Sequence, residues 1–190
     1  MTDPAIRSDV LEALNRGDRE SLDQIVSVLY DELRQIAHRQ LARTRPYDGN
    51  DRTLVTTALV NEAYLKLVGQ SPDRWADRTH FLSLAAIAMR HVLIDRARAQ
   101  AAQRRGGGGA HVTLDDAAVD ADRSPERLLE IDEALDQLAK ISPRLVRVME
   151  CRFYGGLSEE EIAEALSVTV RTVQRDWAKA RVLLRRALTA

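Results

Sequence analysis

Residues 158–188 read SEEEIAEALSVTVRTVQRDWAKARVLLRRAL. Two helix starts stand about ten residues apart in this stretch, and the arginines crowd into the second helix. Ser158 and Glu161 have the S-x-x-E spacing of a capping box, with Leu157 and Ile162 placed as a hydrophobic staple. The first helix runs about two turns, to near Leu166. Thr169 is the next N-cap, with Val168 and Val173 as a second staple. The turn between them is Ser167-Val168-Thr169, so the pattern predicts a helix-turn-helix. The turn often carries glycine. A left-handed Ser167 would cost about 1 kcal/mol.

The second helix divides into two faces at 100° per residue. Val170, Val173, Trp177, Ala180 and Leu184 share one, whereas Arg171, Arg175, Lys179 and Arg186 gather opposite, with Thr172 beside them and Gln174 nearer the edge. In a helix-turn-helix the start of this helix enters the major groove. Arginine pairs bidentately with guanine and glutamine with adenine. Lys179, Arg185 and Arg186 lie further along and suit phosphates. The competing reading is a solvated basic face. The coincidence of capping box, short turn and basic outer face favours DNA.

Working outward, the chain has 190 residues, 45% of them apolar and only 4% aromatic, a composition that favours helices over sheets. The net charge of −1 is uninformative, but its distribution is not. Residues 90–105 carry five arginines against one aspartate. Residues 114–136 carry nine acids against two arginines. Residues 171–186 carry six cations against Asp176. Two basic segments thus flank an acidic one. The sole cysteine, Cys151, excludes an internal disulfide and sits among Val148, Met149 and Phe153 as a small core residue. No signal-type apolar run opens the chain and no stretch has the length of a membrane span, so a cytoplasmic protein without membrane insertion is expected.

The clearest break is QRRGGGGAHVTLDDAAVDADRSPE, residues 103–126. Its glycines and aspartates make a linker. A phosphate-cradling loop needs Lys-Ser or Lys-Thr after the glycines, and Ala110-His111 follow instead. Before it, helices are predicted over 5–17, 19–43, 53–69 and 80–105, the last apolar nearly all round in its first half and therefore central. After it come helices over 124–139 and 142–156, the second opened by Ser142-Pro143 and broken at Gly155-Gly156. The expected fold is all-α: two small helical domains, 1–103 and 126–190, joined by a flexible linker, 104–125, that is Gly-rich and then acidic.

Residues 147–188, RVMECRFYGGLSEEEIAEALSVTVRTVQRDWAKARVLLRRAL, resemble region 4 of bacterial sigma-70 factors, and more narrowly the extracytoplasmic-function (ECF) group. TALVNEAYLKLV (57–68) resembles region 2.2, and WADRTHFLSLAAIAMRHVLIDRARAQAAQRRGG (75–107) regions 2.3 and 2.4. The order and separation of the blocks also fit. No region 3 domain fits between the halves and no long region 1 precedes them, as in the ECF type.

The resemblance implies a transcription initiation factor that binds core RNA polymerase, reads −35 and −10 promoter elements and helps melt the DNA. It places Asn61, Glu62, Tyr64, Leu65 and Lys66 on the helix that meets the clamp coiled coil of the largest polymerase subunit. An acid common a few residues earlier is replaced here, Thr57 and Ala58 standing near that place. Residues 71–80 match the loop that captures an unpaired −10 base. Trp75 would stack on such a base or, equally, pack in the core. Asp77, Arg78 and His80 would supply polar contacts. Arg90, His91, Arg96 and Arg98 match the helix along the −10 DNA, with a solvated basic face as the competing reading for some of them. Thr169, Arg171, Thr172, Gln174, Arg175 and Lys179 match the −35 reader. An anti-sigma protein is a further candidate partner.

No enzyme is expected. His38, His80, His91 and His111 lack metal-site spacing, no nucleophile, base and oxyanion donor form a set, and no cofactor is implied. The alternative is a helix-turn-helix regulator acting without replacing the sigma factor.

Overall fold

The computed structural model describes residues 19–44, 51–68, 78–106 and 125–189, and within them only helices and short turns occur. We number the helices α1 (Arg19–Val28), α2 (Tyr30–Thr44), α3 (Asp51–Val68), α4 (Arg78–Gly106), α5 (Pro125–Ile141), α6 (Pro143–Met149), α7 (Glu159–Ala165) and α8 (Val170–Thr189), with a π-helical segment, Glu150–Gly155, following α6. The helix expected over 5–17, the start of the −10 loop and most of the linker lie outside the described residues.

The periodicity of residues 19–43 is realised with one irregularity. Leu22, Ile25, Leu29, Leu33, Ile36 and Ala37 are all buried, but the helix is interrupted at Leu29. The break is slight, since Leu29 N–H still reaches Ile25 O and Leu33 N–H reaches Leu29 O, both at 2.9 Å. Helix α4 is central, touching α2, α3, α5, the π segment and α7. Its first half is a run of small and large apolar residues (Phe81, Ala85, Ala86, Met89, Val92), buried nearly all round. Burying a side chain such as Phe81 stabilises by about 1.5–3 kcal/mol.

The two halves share one core. Leu135, Leu138, Leu145, Met149, Tyr154 and Ala180 continue the cluster built by α1–α4. Side chains of α2 stitch the junction. Arg39 Nη2 donates to Gly155 O at 2.7 Å, Arg43 donates to Phe153 O while lying over its ring, and buried Gln40 Nε2 donates to Tyr154 O at 3.4 Å.

The helix expected over 142–156 does end at the glycine pair, but in two corrected details. Pro143 opens α6, yet Ser142 makes no side-chain cap. The last turn is π-helical rather than α, and Glu150, Cys151 and Tyr154 are buried in it. Gly156 closes it at φ 68, its N–H donating to Cys151 O. The left-handed φ favours glycine there, and a Cβ would stand 2.8 Å from the Arg39 guanidinium, which would have to shift.

Candidate nucleic-acid interface

The helix-turn-helix is built as its sequence spells it. Ser158 Oγ accepts from Glu161 N–H at 3.1 Å and Glu161 Oε2 accepts from Ser158 N–H at 2.8 Å, a complete capping box. Helix α7 closes in a Schellman motif: Val168 N–H donates to Ala163 O at 2.9 Å and Ser167 N–H to Glu164 O at 3.1 Å. Ser167 takes the left-handed position at φ 52, where glycine is usual. Thr169 Oγ1 then accepts from Thr172 N–H at 3.2 Å and opens α8. Both staple pairs, Leu157 with Ile162 and Val168 with Val173, lie in a small core completed by Val148, Cys151 and Ala163. Cys151 is inert: burial, and then the charge of Glu150, push its thiol up to about 11.

The two faces of α8 separate as the periodicity predicts. Val173 and Ala180 are fully buried, and Val170, Trp177 and Leu184 partly. Thr169, Arg171, Gln174, Arg175 and Lys179 are exposed, and Thr172 half-buried. Asp176 is the exception on the inner face. It is buried and accepts from Arg144 Nε of α6 at 2.6 Å.

The second basic surface is arranged differently. Arg90 is only 4% exposed. Its Nη1 donates to Asp132 of α5 at 2.8 Å, its Nε lies 3.7 Å from Glu150, and its guanidinium faces the Tyr154 ring. Arg98, exposed along α4, shares Asp132 at 2.9 Å. Burial raises the Glu150 carboxyl above its ordinary value, with Arg90 opposing. His91 is exposed. Partial desolvation of its ring, then the charges of Arg90 and Lys66, lower its pKa. Near pH 7 it is therefore a neutral hydrogen-bonding group. Arg78 pairs with Glu32 of α2 at 2.9 Å, and His80 is half-buried in the first turn of α4. Trp75 and Asp77 lie outside the described residues.

The third set lies on α3. Asn61 and Leu65 point to solvent, Leu65 at 64% exposure. Glu62 and Lys66 line a shallow groove of about 380 Å³ against α4, where Glu62 accepts from Arg96 and Lys66 reaches Asp95 at 2.6 Å. Tyr64 donates to Asp23 of α1. So the expected polymerase and −10 residues meet where Glu62 of α3 pairs with Arg96 of α4, Arg90 and Arg98 turn instead to α5, and the −35 set stands on α8.

Sequence reasoning missed Asp132, Glu150, Asp176 and the Arg152–Glu159–Gln174 chain. Asp132 and Asp176 carried a signal, since each acid falls on the apolar face of its helix. Among the described residues, no cluster of three His, Cys, Asp or Glu is placed to hold a metal, and no helix is long and apolar enough to cross a membrane.

A helical protein with a capped helix-turn-helix and a solvent-facing basic recognition helix belongs to the class of DNA-binding transcription proteins. The family follows from the match to the ECF sigma factor model over residues 6–190: the chain belongs to the ECF sigma factors. These are initiation factors that give RNA polymerase its promoter specificity. No curated protein matches the chain at a significant level.

Proposed function

We propose that the chain binds core RNA polymerase through the outer face of α3, reads the −35 element with α8 and the −10 element with α4 and the loop before it, and helps melt the promoter. The work is done in the cytoplasm, where the polymerase is. One observation carries the reading. Arg171, Arg175 and Lys179 project from the face of α8 opposite Val173 and Ala180, with Gln174 exposed nearer the edge, on a helix whose start is fixed by Thr169. The groove-facing start of α8 then offers arginine and glutamine to base edges, and Lys179 to phosphate.

The −10 reading adds a condition. Arg90 is buried against Asp132, so its contact with DNA requires α5 to leave α4, whereas the exposed Arg98 needs only to exchange Asp132 for a phosphate. Arg96, on the α3 side, would exchange Glu62 in the same way. Leu65 and Asn61 are available without rearrangement, which suits a first contact with polymerase. An anti-sigma protein would compete for these same surfaces.

The test is transcription by core polymerase with this chain as the added factor. Start sites sharing upstream elements support the reading. Initiation only when another sigma factor is present would make the chain a helix-turn-helix regulator instead.

A further inference from the structure

Gln174 does not project from α8 unattended. Its Nε2 donates to Glu159 Oε2 at 2.7 Å, across fifteen residues of sequence. The other carboxylate oxygen, Oε1, accepts from Arg152 Nη1. Arg152 is in turn placed by Trp177 of α8, whose ring centroid lies 4.9 Å from the guanidinium carbon. The chain runs from α8 through the π segment to the first residue of α7 and back to α8. Arg152 and Glu159 are each about a quarter to a third exposed, so the carboxylate is partly shielded.

The chemistry of this chain has a fixed polarity. Arginine can only donate. The hydrogen bonds from Arg152, and then from Gln174, hold the Glu159 carboxyl below the usual range, so it is ionised and can only accept. Its second oxygen therefore takes the NH₂ side of the Gln174 amide. A free glutamine could present either end to a partner. This one has its nitrogen committed inward and its oxygen on the opposite side.

We propose that Arg152 and Glu159 are positioning residues that set Gln174 as an outward hydrogen-bond acceptor, making it selective for a base with an exocyclic amino group in the major groove. This rests on the reading of α8 as the helix that enters the groove. Adenine N6 and cytosine N4 are the donors there, whereas guanine O6 and thymine O4 are acceptors. The base facing Gln174 is accordingly adenine or cytosine. Adenine is the better fit, because the second N–H of the amide can reach its N7.

The arrangement can be reversed by design. In Glu159→Gln, Arg152 still demands the oxygen of residue 159. The amide nitrogen of residue 159 then faces Gln174, which turns its own oxygen inward and its NH₂ outward. Preference at that one position should switch from amino-bearing to keto-bearing bases. Adding Gln174→Glu to Glu159→Gln restores an outward acceptor, and the amino preference should return, at lower overall affinity because a carboxylate now faces the phosphates.

The experiment is selection from a duplex library randomised over the −35 element, using the full chain assembled with core polymerase. Wild type, Gln174→Ala, Arg171→Ala, Glu159→Gln and the double variant are compared, with thermal melting of each. The expected preference is about five- to tenfold at one position, lost in Gln174→Ala, inverted in Glu159→Gln and recovered in the double variant. A Glu159→Gln profile that keeps the amino preference, or falls evenly at every position, overturns the proposal. If Arg171→Ala and Gln174→Ala also leave every position unchanged, the docking of α8 fails and the proposal with it. If those two shift the profile and Glu159→Gln does not, only the positioning role is lost.

Discussion

Helix α4 carries five arginines between residues 90 and 105, and α8 carries five arginines and a lysine between 171 and 186. By charge count they are nearly equivalent. In the folded chain they are not. Arg90 is buried against two acids, Arg98 is tied to one of them and Arg96 to Glu62. On α8, Arg171 and Lys179 face solvent, Arg175 is exposed with its Nε 3.7 Å from Asp176, and that acid is buried and bonded to Arg144. A basic segment is a nucleic-acid surface only to the extent that the rest of the fold leaves its charges free. Here the outer face of α8 is presented, while Arg90, Arg96 and Arg98 of α4 are paired with the chain's own carboxylates.

The comparison breaks first, and most severely, at Arg90. Arg90→Ala leaves Asp132 and Glu150 buried without their main partner, and losing one side of a buried pair costs about 3–5 kcal/mol. Thermal or urea unfolding should show it. Arg171→Ala should melt within about 0.5 kcal/mol of the parent, as exposed substitutions do. Equal stability of the two variants would show that α4 and α8 hold their cations in the same way.

The next effect is on selectivity. Arg171→Ala and Arg175→Ala should each cost about 1–3 kcal/mol at one base pair and relax preference there, measured by competition binding of the holoenzyme to promoter variants.

Glu150→Gln sharpens the α4 side. The Glu150 carboxyl has a raised pKa when folded, so the folded state favours its protonated form. That contribution is full below the unfolded value and is lost as pH rises through the folded one. At neutral pH the amide should therefore be neutral or stabilising by up to about 1 kcal/mol. Any gain should shrink as pH falls toward 4.5 and the parent carboxyl takes up its proton. A gain that grows on acidification would contradict this placement of the charge.

Lys179→Ala gives the smallest change. It should weaken binding evenly across sequences and reduce the salt slope by about 1, as for one phosphate contact.

The helix-turn-helix was legible because its signals are local. Ser158 and Glu161, Thr169, and the two staple pairs act within five residues, and the 3.6-residue period separates Val173 and Ala180 from Arg171 and Arg175. Helix α4 was legible as central for the same reason. What sequence did not yield is pairing at a distance. Arg90 lies within an apolar run, AIAMRHVLI, and that alone marks it as a buried charge, but its partner is 42 residues away. Its family likeness pointed to DNA, while its burial points inward. The π-helical turn was also hidden, because Glu150, Cys151 and Tyr154 fall on one side at ordinary helical spacing too, so their pattern does not mark the widening. Ser142 had the right identity for a cap and makes none, since propensity does not fix a rotamer.

The central claim is that the presented face of α8 chooses the promoter for a polymerase this chain has joined. Its most direct measurement is transcription by core RNA polymerase on a library of randomised upstream sequences, with the chain as sole initiation factor, followed by mapping of start sites. Discrete starts sharing a −35 element are predicted, with base preferences that change in Arg171→Ala and Arg175→Ala although both variants still join the polymerase. The contradicting result is an element that survives unaltered in both folded variants, or no initiation at all by polymerase carrying the chain.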